Sequence, residues 1–316
     1  MNQSRKLTEG AIFAAIYMGL MLATAIPILS ILTMFLLPVP FVMYASRHGV
    51  KPGLLVLTVT SLLTIMFFTI LSLPMTLLMG VGGLLIGHGI YKKRSVYETW
   101  AYGILGFIGG LLFTIAFMQI FLSVNFMSEF ETIANEQVGS YVSIIESVGM
   151  ADTNPDINLE EMFTEQIKLI MNLVPAFLAV LAIILAFLVQ WVSYKIINRV
   201  DKQKYRFPPF RMLRLPSSII WLYLIVILVS LFNLDPAGMF SVGIQNALFI
   251  LEILLVVQGF SFLFYFADHK KWSKAIPIMS IVITILFPVF LLYFVRILGI
   301  IDIGFNLRDR LEKKKE

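Results

Sequence analysis

Glu252 is a carboxylate in the middle of a long apolar stretch, residues 242–266. On an α-helix Ser241, Gln245 and Gly259 fall within about 40° of it, at 100° per residue, so they share its face. An ionisable group at such depth in a membrane is costly, and it usually marks a proton, cation or substrate site. The alternative is a protonated Glu252 that packs by hydrogen bonding to a neighbouring helix, because burial favours the neutral form of a carboxyl group.

Three larger polar side chains, Gln119, Asn172 and Gln190, lie in the fifth and sixth apolar segments and need partners inside a bundle. With Glu252 and Gln245 they make up the candidate intramembrane polar or ligand site. Arg296 is expected nearer the outer face, where a long side chain can extend towards water. It reaches Glu252 only if the last helix bends.

Known catalytic and metal-binding patterns are absent from the sequence. It has no cysteine, three scattered histidines and no HExxH or GxxxxGK[ST] motif, and no Ser/His/Asp set can be assembled. We therefore expect no enzyme activity, no catalytic residue, no metal and no cofactor. Nothing beyond the net charge of +5 suggests nucleic-acid binding.

The elements that must position these side chains are membrane helices. Hydrophobic residues make up 59% of the 316, charged residues only 14%, and mean hydropathy is +0.90. Soluble domains carry about 25% charged residues. The sequence predicts an all-α polytopic membrane bundle of about 8–9 transmembrane helices in the lipid bilayer. Candidate segments lie near 10–27, 28–46, 52–72, 74–91, 97–124, 168–194, 217–234, 242–266 and 275–299.

Lysine and arginine follow alternate segments, and none occurs between Arg94 and Lys168. By the positive-inside rule this pattern places the N-terminus in the cytoplasm. Nine spans would leave the basic tail after residue 307 outside, which conflicts with the rule. The count therefore stays open between eight and nine, and the doubt falls on segments 28–46 and 275–299.

Small residues recur at every fourth position of the first segment, at Ala11, Ala15, Gly19 and Ala23. We name these four residues the small-residue stripe. Such spacing lets another helix approach closely. Packing within the chain's own bundle is the favoured interpretation, and docking of another membrane protein is the alternative. Two further pairs with GxxxG spacing, Gly83 with Gly87 and Gly106 with Gly110, also predict close helix packing.

Two polar segments divide the chain. The outer loop, residues 125–167, contains nine acids, an amphipathic helical pattern, a turn at 152–156 and a helix start after Asn158. The acids are Glu129, Glu131, Glu136, Glu146, Asp152, Asp156, Glu160, Glu161 and Glu165. A basic, proline-containing cytoplasmic linker, 201–218, separates a six-helix part, 1–200, from a C-terminal membrane region, 219–316, of two or three helices.

The stretch Lys6-Leu7-Thr8-x-x-Ala11-x-x-Ala14-Ala15 resembles the first helix of S components of energy-coupling-factor transporters, as does the six-helix layout over about residues 1–200. The resemblance implies that Ala11 and Ala15 dock on a transmembrane coupling protein and that a small molecule binds from outside. This chain has a longer outer loop and added C-terminal helices.

The whole chain resembles the YybS family of uncharacterised bacterial multi-span membrane proteins, distantly similar to those S components. The motifs are Arg211-Met212-Leu213-Arg214-Leu215-Pro216 before Trp221, and the ending Leu298 to Arg308. We expect a small-molecule binding or transport subunit in the bacterial plasma membrane. The alternative is a non-transporting interaction or scaffold protein of the cell envelope.

Overall fold

A computed structural model describes residues 3–147, 159–232, 235 and 238–313. These residues form helices, turns and extended connections, with no β-strand among them. They divide into two compact units. Unit 1 comprises the described residues of Met1–Met171 and Phe177–Phe207, and unit 2 those of Asn172–Ala176 and Pro208–Glu316. The division at 207/208 lies within the predicted linker.

Unit 1 is built from nine helices along the described chain, the last of which begins in the short stretch Asn172–Ala176 that belongs to unit 2. They are α1 (Gln3–Ala23), α2 (Pro27–Leu36), α3 (Val39–His48), α4 (Val50–Phe67), α5 (Leu73–Tyr91), α6 (Val96–Phe121), α7 (Phe126–Ser147), α8 (Leu159–Asn172) and α9 (Val174–Val200). Gly49 turns the chain between α3 and α4 with a φ of 85°, in the left-handed region that favours glycine.

Helix α1 is held to its neighbours by the face that carries Phe13 and Tyr17, both buried. The Tyr17 hydroxyl donates to Thr76 Oγ1 at 2.9 Å, and Thr76 Oγ1 donates to Thr64 Oγ1 at 3.1 Å. This chain of hydrogen bonds joins α1, α5 and α4 inside an apolar core, where an unpaired hydroxyl would be costly. It fixes which face of α1 points outwards.

The glycine pairs confirm close helix packing. A Cβ at Gly87 would lie 2.6 Å from the Val42 carbonyl oxygen of α3, and one at Gly106 would lie 2.9 Å from Gly82 Cα of α5. Both distances are shorter than atoms tolerate, so helices α3, α5 and α6 approach backbone to backbone.

One end of unit 1 is closed by a charged network. Glu9 Oε2 of α1 lies 2.9 Å from His48 Nε2 and 3.4 Å from Arg47 Nη1 of α3. Arg47 Nη2 also donates to Asp201 Oδ1, just after α9, at 2.6 Å. The network uses the basic residues at the predicted cytoplasmic edge to tie three chain segments together.

Unit 2 contains the remaining helices of the described chain. They are α10 (Ser218–Ser230), α11 (Met239–His269), α12 (Ala275–Leu286), α13 (Pro288–Gly304) and α14 (Leu307–Lys313). A short 3-10 turn, Phe210–Met212, precedes α10. Helix α11 is the longest, and α10 and α13 pack against it.

The described residues confirm the all-α polytopic bundle, with seven stretches long and apolar enough to cross a membrane. They are Gln3–Ala23, Pro27–His48, Val50–Phe67, Ile70–Tyr91, Val96–Phe121, Val174–Val200 and Met239–His269. Ser218–Ser230 and Ala275–Leu286 are apolar but shorter. The count of eight or nine spans stays a prediction.

Several predicted boundaries were wrong. Segment 217–234 forms only the 13 residues of α10, about 20 Å of helix. Segment 28–46, by contrast, is long enough to cross a membrane, as Pro27–His48. Segment 275–299 is divided at Phe287 by Pro288, which cannot supply a helical N–H. Segment 168–194 shifts to Val174–Val200, with a turn at Leu173 that separates α8 from α9.

The acidic outer loop contains two helices, α7 and α8, in its described part. The predicted amphipathic helix is confirmed by α7, and α8 starts at Leu159, one residue after the predicted cap. The predicted turn 152–156 and Asn158 lie outside the described residues.

Candidate functional site

The site is built where α11 and α13 cross within unit 2. A Cβ at Gly259 of α11 would overlap the Val295 carbonyl oxygen, and one at Gly299 of α13 would overlap the Leu255 carbonyl oxygen. The two glycines therefore let the helix backbones touch at this point. This close crossing sets the position of every side chain that projects from the two helices a few turns away.

Glu252 of α11 forms an ion pair with Arg296 of α13 through Oε1 and Nη1. The expectation that Arg296 extends away from Glu252 is therefore wrong. The contact was expected only if the last helix bends, and the segment does break at Pro288. There α13 starts as a new helix that crosses α11. In hydrocarbon a paired charge is far less costly than a single one, so each residue lowers the free-energy cost of placing the other there.

Two tyrosines complete the surroundings of the ion pair. The Tyr223 hydroxyl of α10 lies 3.5 Å from Glu252 Oε1. The Arg296 guanidinium carbon lies 5.0 Å from the centre of the Tyr293 ring, a cation–π distance. Three helices of unit 2 thus contribute polar or aromatic groups to one charged point in an otherwise apolar region.

A pocket of about 520 Å³ lies beside this pair, with Glu252, Arg296 and Tyr293 in its wall. The rest of the wall is apolar and includes Phe249, Val256 and Leu292. The volume falls within the range of small-molecule sites, which are mostly apolar with few polar groups. The arrangement is suited to hold an organic molecule with a charged group.

Within unit 2, the candidate residues Gln245 and Asn172 do not join the site around Glu252. Gln245 lies two turns away on α11, and its Nε2 donates to Ser241 Oγ at 3.4 Å. Asn172 contributes only its backbone carbonyl, which accepts from Asn246 Nδ2 at 2.6 Å. Sequence reasoning missed Asn246, whose side chain also accepts from the Ala176 N–H at 2.8 Å.

Gln119 and Gln190 both belong to unit 1. Gln190 is fully buried and donates to the Val96 carbonyl at 3.0 Å and to the Tyr194 hydroxyl at 2.8 Å, so it joins α9 to the start of α6. Gln119 is exposed near the end of α6, 23 residues or about 35 Å of helix from Val96. The Gln119 side chain is therefore exposed within unit 1, and the expectation that it needs a partner inside the bundle stays a prediction.

The small-residue stripe lies on the outward side of α1. Ala11, Ala15 and Gly19 are exposed, and a Cβ at Gly19 would meet nothing within 4 Å; Ala23 is half-buried. Within unit 1 the stripe therefore lies outside the core, and packing within the chain's own bundle stays a prediction. The core takes the neighbouring face instead, because Phe13 and Tyr17 bury far more apolar area. Docking of a partner there stays a prediction.

A second polar cluster in unit 2 was not foreseen. Asp302 and Arg308 form an ion pair with side chains only 2% exposed, Nη2 to Oδ2 at 2.8 Å. Gln258 Nε2 donates to Asp302 at 2.6 Å, and Arg308 Nη1 donates to the Arg211 carbonyl at 2.7 Å. The Ser261 hydroxyl lies within hydrogen-bonding distance of Arg308, the Phe210 carbonyl and the Leu213 carbonyl.

This Asp302–Arg308 cluster joins the two stretches that carry the family resemblance. The linker motif 211–216 supplies backbone groups, and the chain ending 298–308 supplies the ion pair. The side-chain polar atoms of Gln258, Ser261, Asp302 and Arg308 all have protein partners, so the cluster attaches the linker to α11, α13 and α14. The resemblance of both stretches was the available signal, but it gave no indication that they meet.

A chain whose described residues are helical, with seven apolar stretches of membrane-crossing length among them, is a polytopic integral membrane protein. The chain belongs to the family described as "Predicted membrane protein (DUF2232)", which matches residues 11–303. It is 27% identical over 315 residues to the protein of Bacillus subtilis (strain 168) named "Uncharacterized protein YybS", covering 99% of this chain and 100% of that relative. No solved structure matches it. The predicted YybS family is thereby confirmed; the likeness to S components stays a prediction.

Proposed function

We propose that this protein is a small-molecule binding or transport subunit of the bacterial plasma membrane, and that it carries out no chemical reaction. The observation that carries the proposal is the Glu252–Arg296 ion pair in the wall of a 520 Å³ apolar pocket. The structural Asp302–Arg308 pair is sealed, with both side chains 2% exposed. The Glu252–Arg296 pair instead borders open space, and the Glu252 side chain is 40% exposed.

The wall chemistry defines the ligand class. Phe249, Val256 and Leu292 favour an apolar or aromatic body, because its transfer from water releases about 25 cal/mol per Å². Glu252 and Arg296 favour at least one charged group, an ammonium or a carboxylate, that exchanges with one partner of the pair. A small amphipathic organic ion satisfies both requirements.

Transport needs an energy source, and this sequence contains no GxxxxGK[ST] motif for ATP binding. An S-component-like role supplies one through a partner, with the small-residue stripe as the docking face. An ion gradient that acts on Glu252 is the other route. Both are compatible with binding in the pocket, so binding is the property to test first.

Ligand-induced thermal stabilisation tests the proposal. We expect members of a panel of amphipathic organic ions to raise the unfolding temperature of the purified protein, because a ligand that binds only the folded state stabilises it. Glu252→Gln should abolish the shift. Asp268→Asn is the matched control: Asp268 is also on α11 and also paired with an arginine, at 2.6 Å from Arg211 Nη1, but lies outside the pocket wall.

A wild-type protein that no panel member stabilises would contradict ligand binding. Equal shifts in the wild type and in Glu252→Gln would place any binding elsewhere and remove Glu252 from the site. A shift lost equally in Asp268→Asn would indicate general destabilisation of α11.

The alternative, a membrane interaction protein, is favoured by one observation, the outward exposure of the small-residue stripe. We expect Ala15→Leu to leave the protein folded but to release any partner helix, because the added side chain prevents close approach. Ala116→Leu, at an exposed position of α6, is the control. The measurement is affinity copurification in mild detergent.

The identity of what is lost on Ala15→Leu separates the two functions. Loss of an ATPase complex supports transport, and loss of cell-envelope assembly proteins supports the interaction role. Identical copurification with wild type, Ala15→Leu and Ala116→Leu would contradict docking at the stripe.

A further inference from the structure

A second pocket, of about 510 Å³, lies between α1 and α4 in unit 1. Its α1 side includes Lys6, Gly10, Ala11 and Ala14, and its α4 side includes Lys51, Leu55 and Val59. We name it the α1–α4 groove. It shares no lining residue with the pocket of unit 2.

Small side chains make the groove deep. Gly10 has no Cβ, and one added there would lie 3.0 Å from Val56 Cγ2. Ala14 and Tyr44 are buried, and the Tyr44 hydroxyl donates to the Lys6 carbonyl at 3.2 Å, which fixes this end of α1. Leu55 and Val59 remain exposed along the opposite wall. The groove is therefore a preformed apolar channel, because these contacts keep α1 and α4 from closing over it.

Two lysines stand at one end of the channel. Lys6 lies near the start of α1 and Lys51 near the start of α4, and both border the groove. Neither forms an ion pair with a carboxylate in the described part of the chain. The nearby Arg5 and Arg47 do, since both contact Glu9. The groove therefore has an apolar body and a mouth with two uncompensated positive charges.

We propose that the α1–α4 groove binds an anionic phospholipid, with its phosphate at Lys6 and Lys51 and an acyl chain along the apolar walls. The length supports this occupant: from Gln3 to Ala14 the groove follows α1 for 11 residues, about 17 Å. One leaflet of a bilayer core is about 15 Å thick, half of roughly 30 Å. A lipid chain fits that distance along the membrane normal.

The lysines select the headgroup. A phosphate shared by two ammonium groups gains charge-assisted hydrogen bonds from both, and basic residues at the membrane surface attract anionic lipid. With the N-terminus in the cytoplasm, as the positive-inside pattern predicts, the site faces the inner leaflet. A zwitterionic lipid offers the same chain but weaker attraction, because its cationic group opposes the lysines.

Lipid binding to the detergent-purified full chain tests the proposal, by native mass spectrometry with phosphatidylglycerol, phosphatidylcholine and glycerol phosphate as probes. We expect the wild type to retain phosphatidylglycerol in preference to phosphatidylcholine. Lys6→Gln/Lys51→Gln should weaken phosphatidylglycerol binding by about tenfold. Lys92→Gln/Lys204→Gln, which removes two exposed lysines of unit 1 outside the groove, should leave it unchanged.

A second variant tests the acyl-chain part. Ala11→Phe fills the groove but keeps both lysines, so it should also reduce phosphatidylglycerol binding while the protein elutes as a folded species. Equal retention of the two lipids, or equal loss in the two lysine double variants, would overturn the proposal and indicate surrounding lipid only. Binding of glycerol phosphate as tight as that of the whole lipid would overturn the role of the groove.

Discussion

Replacement of Arg308 by methionine is expected to lower the free energy of unfolding by about 3–5 kcal/mol, because it leaves Asp302 as an unpaired buried carboxylate. Both side chains of the pair are only 2% exposed. Arg308 also donates to the Arg211 carbonyl, so the linker loses its attachment to α14. Thermal unfolding in detergent, followed by fluorescence size-exclusion chromatography, should show a midpoint lower by about 10 °C.

Two further variants give this prediction its control. Arg214→Gln removes an arginine from an exposed pair with Asp309, and such pairs contribute about 0–1 kcal/mol. Asp302→Leu/Arg308→Met removes both buried charges and should recover much of the stability lost in the single variant. If Arg308→Met is no more harmful than Arg214→Gln, the Asp302–Arg308 cluster does not hold unit 2 together.

Gly259→Ala should be the second most damaging change, despite the addition of a single methyl group. Its Cβ would overlap the Val295 carbonyl oxygen of α13, and backbone cannot move aside as a side chain can. Overpacking typically costs about 1–3 kcal/mol, and contact with backbone places this case at the upper end. Separation of α11 from α13 should also displace Arg296 from Glu252, so ligand-induced stabilisation should fall with stability.

Gly243→Ala is the matched control for that change. Gly243 is on the same helix, but a Cβ there meets nothing within 4 Å. Alanine favours a helix over glycine by about 1 kcal/mol, so this variant should be as stable as the wild type or more so. A Gly259→Ala protein that unfolds at the same temperature as Gly243→Ala would contradict the close helix crossing.

The fold class was predictable because a membrane helix can be recognised from its own stretch of sequence. A run of about 20 apolar residues needs no partner to be recognised, and α1, α4, α6 and α11 follow directly from such runs. Interruptions were harder to place. The break at Pro288 depends on how α13 turns back to pair Arg296 with Glu252, which is a tertiary effect.

The candidate site was predictable only in part. Glu252 is evident because a carboxylate in an apolar run is rare. Its partner is 44 residues away on another helix, and periodicity within one helix cannot identify it. The Asp302–Arg308 cluster could not be predicted for the same reason, because it joins the linker to a chain ending far away in the sequence. The small-residue stripe showed the opposite problem: its spacing fixes a face of α1 but not whether the core or the outside takes that face.

The most direct test of the small-molecule hypothesis is equilibrium binding to the protein in lipid nanodiscs, with the panel member that raises the unfolding temperature most. We expect saturable binding by the wild type and by Asp268→Asn. The affinity should be at least about tenfold weaker for Glu252→Gln and for Arg296→Gln, since a charge-assisted hydrogen bond contributes about 1.5–3 kcal/mol. Equal affinity in all four proteins would show that the Glu252–Arg296 pocket is not the binding site.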